Sequence, residues 1–421
     1  MLKRFLLILA AALVGYGAAQ VAVRSGAPSW WPDRERDRNV RYFREVMQIV
    51  KENYVGETPA GYDDLTRSAI DGMVGQLDPH SQFLYAEEYK ETEDELTNAF
   101  GGVGIQVEQR DNQIVVITPI AGTPAERAGL RQGDRLVKID GKPIENPSVD
   151  RAVRLVRGEP DTMVTLTVFR PSQEKTLDFT MKRERIRLDS VRNTMIRSDG
   201  IGYLQITQFS ERTGEELQAA LAVLEKQNVR ALIIDLRNNP GGLLDAAIEV
   251  CEEFFERGEL IAYTKGRTAA SREEFKAEGT HAARTYPVAI LVNSGTASAA
   301  EIVAGAMKDT KRAVIVGEKT FGKGSVQSVI ELQNGEGMRL TTARYYTPSG
   351  VTIHEKGIQP HVEIEVSADD EAKVRLQQSR PDLAATAEFS ERFGFDRIED
   401  VQLNAAEEVL VGVLATRSAG K

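Results

Sequence analysis

The sequence predicts an α/β multidomain protein made of an N-terminal helical region, a β-rich module and a βα-rich core. Apolar residues recur at helical spacing early in the chain, short β-type runs broken by turns fill the middle, and from Val191 onward strand-like and helix-like segments alternate. Alternation of that last kind sets helices against a sheet. With 421 residues, 41% hydrophobic and 28% charged, the chain can bury a large core.

Residues 1–23 open with Lys3 and Arg4 and stay uncharged from Phe5 to Val23, the build of a signal peptide, with Gly17-Ala18-Ala19 suited to a signal peptidase. The run also approaches the ~20 residues that cross a bilayer, so an uncleaved anchor is the other reading. Either way the rest of the chain is expected to be exported to the cell envelope, periplasmic or membrane-anchored and facing outward. The single cysteine, Cys251, excludes a disulfide framework and thiolate metal clusters, and its apolar helical setting makes it a core residue. Net charge is −10, from 53 Lys and Arg against 63 Asp and Glu, without the long basic tract that nucleic acid demands. The short run "KRERIR", Lys182 to Arg187, reads as a solvated strand or linker face.

Residues 36–98 form the helical region. Val40, Phe43, Val46, Met47 and Val50 fall on one helix face, and "AIDGMVGQLDPHSQFL" gives a short helix ended by Asp78-Pro79. The Asn39–Tyr54 helix is a candidate dimer surface, with packing inside the chain as the alternative. Residues 99–182 carry the β-type runs "GGVGIQVEQ", "QIVVITPI", "DRLVKIDGKPI" and "MVTLTVFR", interrupted by one helical stretch from Ser148 to Val156. Residues 183–367 hold the strand and helix alternation, and in the tail, 368–421, Val401 to Ala415 is again helical, packing on the core or on a partner subunit.

The 99–182 module resembles a PDZ domain through Gly102-Val103-Gly104-Ile105 followed by "AGTPAERAGLRQGDRLVKIDGKPI". In such a glycine loop exposed backbone N–H groups cap a peptide's terminal carboxylate while the neighbouring strand edge pairs with the peptide. Arg157, closing the helix in "LVRGEP", is either an exposed helix-end arginine or a contact to the third block.

Chemistry concentrates in "GTASAAEIVAGAMKD", Gly295 to Asp309, where a helix starts directly after the apolar run Val288 to Val292. Ser298, flanked by Ala297 and Ala299, is sterically open at that helix start, beside the N–H of Ala299; it reads either as an N-cap serine or as a nucleophile beside an oxyanion donor. The flanks lack the Gly-x-Ser-x-Gly of a nucleophile elbow. None of the four histidines, His80, His281, His354 and His361, sits in an evident triad setting, and no His-Glu-x-x-His metal spacing occurs. A lysine base remains, and "VGEKTFGKGSVQ" offers Lys319 and Lys323, the latter between Gly322 and Gly324. A lysine works as a base near neutrality only when burial lowers its pKa to ~7–8.

Four stretches together resemble the C-terminal processing peptidases, or tail-specific proteases, a Ser-Lys serine peptidase family carrying a PDZ domain: "LDPHSQFL", "LIIDLRNNPGGLL", "VNSGTASAAEI" and "GEKTFGKGSVQ". Their order and the offset 323 − 298 = 25 match the family. One departure is Thr296-Ala297-Ser298-Ala299 in place of the usual Ser-Ala-Ser-Ala, which keeps both hydroxyls. The resemblance implies a crotonase-like peptidase core with Ser298 as nucleophile, Lys323 as general base and Gln327 orienting the lysine amine. It also implies an oxyanion hole from the N–H of Ala299 plus that of Gly241 or Gly242, between which the sequence does not choose. Glu301 to Met307 reads as the packing face of the helix.

The resemblance thus implies an exported endopeptidase that holds proteins with apolar C-terminal tails in the groove at Gly102, Val103, Gly104, Ile105 and Arg157. Cleavage is expected to pass through an acyl-enzyme, with no metal or cofactor, and activity to rise with pH through a depressed lysine pKa. A homo-oligomer and an adaptor protein are the further partners to look for, and nucleic acid is not one. The competing reading is a catalytically silent PDZ scaffold or holdase of the envelope, against which the joint presence of Ser298, Lys323 and Gln327 speaks. An acyl-CoA-binding protein of the crotonase type is a third, disfavoured for an exported chain.

Overall fold

In a computed structural model, residues 34–56, 61–110, 112–120, 122–144, 148–380, 383 and 387–419 are described. The expected export segment, residues 1–23, lies outside them, and among the described residues no helix is long and apolar enough to cross a membrane. The chain divides into two compact units, residues 1–79 and 80–421.

The first unit contributes two helices, α1 (Arg34–Asn53) and α2 (Tyr62–Gly75). Helix α1 buries none of its residues fully: Val40, Phe43 and Val46 are exposed, and Met47 and Val50 are half-buried among the described residues. Helix α2 ends at Gly75 rather than at Asp78-Pro79, since glycine is a poor helix interior residue and Gln76 already caps the turn.

The second unit begins with β1 (Gln82–Leu84), which is the end of "LDPHSQFL", and α3 (Ala86–Thr97). Next come β2 (Ala99–Gly102), β3 (Ile105–Arg110), β4 (Gln113–Pro119), α4 (Pro124–Ala128), β5 (Arg135–Ile139), β6 (Lys142–Pro143), α5 (Val149–Val156), β7 (Met163–Arg170), β8 (Lys175–Lys182) and β9 (Glu184–Arg187). Strands run β3-β4-β5-β7-β8 with β6 on β5, all antiparallel, around a core that includes Val103, Ile114, Val116, Leu136 and Leu166. Strand β2 reaches past this module to pair with β9, Ala99 opposite Arg187 and Gly102 opposite Glu184.

"KRERIR" departs from a solvated face at Arg183, whose buried guanidinium donates to the carbonyls of Val156 and Met163 at 2.9 and 2.8 Å. Those donations hold the end of α5 and the start of β7 together, which sequence pattern cannot show because the acceptors are distant backbone oxygens.

The core follows with β10 (Val191–Ile196), β11 (Ile201–Ile206), α6 (Thr213–Lys226), β12 (Ala231–Asp235), α7 (Leu244–Glu252), β13 (Leu260–Gly266), β14 (Arg272–Lys276), β15 (Val288–Val292), α8 (Ala299–Asp309), β16 (Ala313–Gly317), β17 (Ser325–Glu331), β18 (Gly337–Tyr346) and β19 (Val362–Glu363). Its main sheet runs β10-β11-β12-β15-β16-β19, parallel except for β10. Every residue of β12 and β15 is buried, as expected of apolar runs in a parallel sheet covered on both faces. One face packs on α6, α7 and α8, where Leu221, Cys251 and Val303 meet Leu232 and Ile290. The tail supplies α9 (Ala368–Ser379), α10 (Ala387–Phe393) and α11 (Val401–Ala419), and α11 covers the other face with Leu403, Ala406 and Leu410 against Ile233 and Leu291. A second sheet, β1-β18-β13-β14 with β17 on β18, flanks this layer.

Candidate active site

In a parallel sheet the loops at the carboxyl ends of neighbouring strands come together, and ligands bind there. Strands β12, β15 and β16 are adjacent. They are followed by "RNNPGG", "NSGTAS" and "EKTFGKG", so three stretches far apart in sequence share one edge.

Side chain and backbone bonds stitch these loops together. Asn238 N donates to Asn293 Oδ1 at 2.8 Å, Ala297 N to the Asn239 carbonyl at 2.9 Å, and Phe321 N to the Thr296 carbonyl at 3.0 Å. Thr296, fully buried, donates through Oγ1 to the Leu236 carbonyl at 2.8 Å, so the hydroxyl it shares with the usual serine is used for holding the turn.

Ser298 occupies the N-cap position of α8 with φ 57° and ψ −118°. A non-glycine residue in the left-handed region is strained, and such strain gathers where a strand-to-helix turn presents a nucleophile. The room that a Gly-x-Ser-x-Gly sequence would give locally comes here from another loop: a Cβ on Gly241, at φ +102°, would lie 2.7 Å from Ser298 Cβ and 3.0 Å from Ala299 N.

The same contact places the glycine pair beside the Ala299 N–H. Gly241 N already donates to Asn239 Oδ1 at 2.9 Å. The N–H groups of Gly242 and Ala299 have no acceptor among the described residues. In this conformation Ala299 and Gly242 are therefore the available donor pair.

Lys323 sits half-buried in the turn before β17, and a Cβ on the next residue, Gly324, would lie 2.1 Å from His354 N. Burial holds the Lys323 ammonium below its ordinary pKa, the Arg339 charge lowers it further, and Glu301 opposes both. Lys319 is exposed and lacks this environment. Gln327, on β17, donates through Nε2 to Thr341 Oγ1 at 2.8 Å and to Ser325 Oγ at 3.1 Å. Those bonds fix the amide so that Oε1 is buried with no hydrogen-bond partner among the described residues. A buried acceptor left open is suited to an amine proton. Behind it, Ser81 of "LDPHSQFL" accepts from Thr341 N at 3.1 Å, which gives that motif a supporting role.

Sequence reasoning assigned Glu301 to packing, and the structure corrects this. Its carboxylate is fully buried and accepts from Ser298 N at 2.9 Å, from Gly322 N and Lys323 N at 2.8 Å each, and from Thr320 Oγ1. Burial raises its pKa while those donors pull it down. The signal was present as Ser-x-x-Glu, the spacing of a capping box, Ser298 to Glu301.

A second buried cluster fixes the glycine loop from behind. Arg237 donates Nε to Asp235 Oδ1 at 3.0 Å, Nη2 to Asp235 Oδ2 at 2.7 Å, and Nη1 to Asp400 Oδ1 at 2.8 Å, while Tyr203 OH donates to Asp235 Oδ2 at 2.8 Å.

The histidines go elsewhere. His281 Nε2 lies 3.1 Å from Glu253, and His361 Nδ1 accepts from Ile315 N at 3.0 Å inside the sheet. His80 is half-buried at the start of the second unit, and His354 meets the lysine turn through its backbone.

At the glycine loop of this module the carbonyls of Val103 and Gly104 accept from Ala125 N and Ile120 N, both at 2.9 Å. Gly104, at φ +77°, has no room for a side chain: a Cβ would lie 2.4 Å from Thr123. The loop is thus held by its oxygens, and the N–H groups of Val103 and Gly104 have no acceptor among the described residues. Gly102, Val103, Gly104, Ile105 and Arg157 line one groove, where the Arg157 guanidinium lies 4.1 Å from the Phe100 ring centre.

Comparison with known proteins agrees in two segments: the profile of Peptidase family S41 matches residues 200–364 and that of a PDZ domain residues 115–170. A carboxy-terminal-processing protease of Bartonella bacilliformis is 39% identical over 389 residues, 88% of each chain. Carboxy-terminal processing protease CtpA of Bacillus subtilis is 38% identical over 325 residues, 77% of this chain and 68% of that one. Among solved structures, the photosystem II D1 C-terminal processing protease is 31% identical with a TM-score of 0.46, covering 77% of this chain and 92% of that one.

Proposed function

The chain belongs to the carboxy-terminal processing proteases of peptidase family S41, serine-type enzymes with a PDZ domain, and from that premise we propose that it cuts polypeptides by a Ser298–Lys323 mechanism. The observation that carries this reading is the single buried carboxylate of Glu301, which takes the backbone N–H of both Ser298 and Lys323. One group thereby fixes the proposed nucleophile relative to the turn that bears the proposed base.

Neutral Lys323 accepts the Ser298 Oγ proton as Oγ attacks the peptide carbonyl. The N–H groups of Ala299 and Gly242 receive the developing oxyanion. The lysine ammonium then returns its proton to the leaving amine, and the ester on Ser298 is hydrolysed by a water that the same lysine deprotonates. Gln327 Oε1 orients the amine. Substrates are polypeptides whose apolar C-terminal tails lie in the groove, the terminal carboxylate capped by the Val103 and Gly104 N–H groups. The enzyme works outside the cytoplasm, as the basic and apolar opening of the sequence suggests.

The test incubates the full chain, beside its Ser298→Ala variant, with an unstructured protein ending in an apolar free carboxylate, and reads fragments by mass spectrometry. Cleavage by the parent alone is expected. Binding of the tail with no cleavage at any alkaline pH would return the chain to the silent-scaffold reading.

A further inference from the structure

The peptide groove continues beyond the PDZ module. Its cavity, about 440 Å³, shares Gln106, Ile117, Leu188, Arg192 and Arg380 with a second cleft of about 650 Å³ between the module and the core. The lining of that cleft includes Arg237 and Asn238, which lead through Asn239 into Pro240-Gly241-Gly242. The cleft thus adjoins the groove at one end and the loop that carries Gly241 and Gly242 at the other.

The lining is strongly basic in a chain whose net charge is −10. Arg187, Arg192, Arg237, Arg375 and Arg380 line it against one carboxylate, Asp189. Arg237 is neutralised by Asp235 and Asp400, and Arg380 lies 3.6 Å from Glu108. The other three are exposed, and none of them meets a carboxylate among the described residues. Arg192 is braced through Nε on the Asp189 carbonyl at 2.7 Å.

We propose that this cleft binds an acidic stretch of the substrate polypeptide, lying between the tail in the groove and the bond presented to Ser298. The assignment rests on the peptidase reading above. A cleft lined by one sign of charge focuses its field and concentrates the opposite sign. Guanidinium forks match carboxylates in a bidentate way that ammonium groups do not. Arg187, Arg192 and Arg375 come from a linker strand, the main sheet and a tail helix, so the chain brings separate elements together to leave three guanidinium groups without acidic partners.

The test uses the full-length Ser298→Ala protein and two labelled peptides with the same apolar C-terminus, one with a run of glutamates upstream of it and one with glutamines. Fluorescence anisotropy should show the acidic peptide bound more tightly on the order of ten-fold, with the difference vanishing toward 1 M salt, where screening acts within about 3 Å. Reversing the three charges together, Arg187→Glu, Arg192→Glu and Arg375→Glu, should invert the preference toward a lysine-bearing peptide. Should that variant fail to fold, Arg187→Gln and Arg375→Gln, both at exposed positions, should each lower the preference.

Equal binding of the two peptides by the Ser298→Ala protein, or variants that weaken both equally, overturns the proposal. Cleavage by the parent is scored separately. A parent that prefers the acidic peptide and cuts neither overturns the peptidase reading and leaves the cleft assigned, whereas one that cuts both but binds them equally does the reverse.

Discussion

Two buried arginine–aspartate pairs hold two different parts of the molecule. In the PDZ module Arg170 grips Asp134 through Nε and Nη2 at 2.8 and 2.7 Å, tying the end of β7 to the turn before β5. In the core Arg237 grips Asp235 in the same two-pronged way, and also reaches Asp400 in the tail. The chemistry is alike and the consequence differs. The first pair also reaches the Gly129 carbonyl at 2.9 Å and so holds strands of the module that carries the glycine loop. The second stands two residues before Asn239, whose own side chain holds the Gly241 N–H, so its position is transmitted to the proposed oxyanion donors. On the proposed mechanism, the one pair bears on binding and the other on chemistry.

The largest effect is expected at the point where the core is most concentrated. Glu301→Ala strands the N–H groups of Ser298, Gly322 and Lys323 together, each costing about 1–3 kcal/mol when left unsatisfied in a buried site. Loss of kcat by at least about 100-fold is expected, because misplacement by roughly 1 Å already costs that much. Glu301→Gln keeps acceptor capacity and should fall between. Steady-state kinetics beside circular dichroism separates the two effects. A folded Glu301→Ala protein of near-parent kcat would show that this carboxylate is ordinary capping and remove the contrast with the PDZ module.

Next come the pairs themselves. Removing either arginine leaves a buried aspartate uncompensated, which typically costs about 3–5 kcal/mol. Arg237→Met and Arg170→Met should therefore lower the midpoint of urea unfolding comparably. Their kinetics should part: Arg237→Met lowers kcat, while Arg170→Met raises KM for tail-bearing substrates and leaves kcat close to the parent. Equal changes in kcat and KM for both would break the comparison.

How much of the molecule was legible in the sequence depends on how local each feature is. The alternation of β12, α7, β15, α8 and β16 could be read because the apolar periods are local. Ser298 and Lys323 could be singled out for the same reason, as small residues at a helix start and a lysine between glycines. The strained φ of Ser298 could not, since the space it needs is left by Gly241 on a loop 298 − 241 = 57 residues away. Nor could the role of Asp400, whose partner Arg237 is brought to it only by the packing of α11 on the sheet. Arg183 was misread within "KRERIR" because burial of one residue in a charged run is set by tertiary contacts and leaves no mark on the run itself.

A third outcome concerns pH and sharpens the contrast through the lysine. Lys323 has a folded-state pKa below its ordinary 10.5, chiefly through burial. A base in the proposed role acts when neutral, so kcat/KM should rise with pH through that lowered value and level off above it. Stability carries the same sign: the unfolded chain binds more protons between the folded value and 10.5, so a penalty present at lower pH is relieved as pH rises through that window. Lys323→Met should remove that relief together with the activity, whereas Arg170→Met should leave the shape of the pH profile intact. A profile flat from acid to alkaline conditions would remove Lys323 from the role of base.

The smallest effect belongs to the groove. The Arg157 guanidinium lies over the Phe100 ring at 4.1 Å in an exposed setting, where such contacts are weak. Phe100 lies on β2, the strand that leaves the module to pair with β9, so this contact touches both the groove and the joint that leads toward the core. Arg157→Ala should raise KM by roughly two- to five-fold for a substrate with an apolar C-terminus, as expected for losing one exposed cation–π contact. A substrate whose C-terminal carboxylate is amidated already lacks the interaction with the loop N–H groups, so the same substitution should change its KM less. If Arg157→Ala instead lowers kcat on both substrates alike, the arginine acts on the core, and the division between a module that binds and a core that cuts does not hold at this residue.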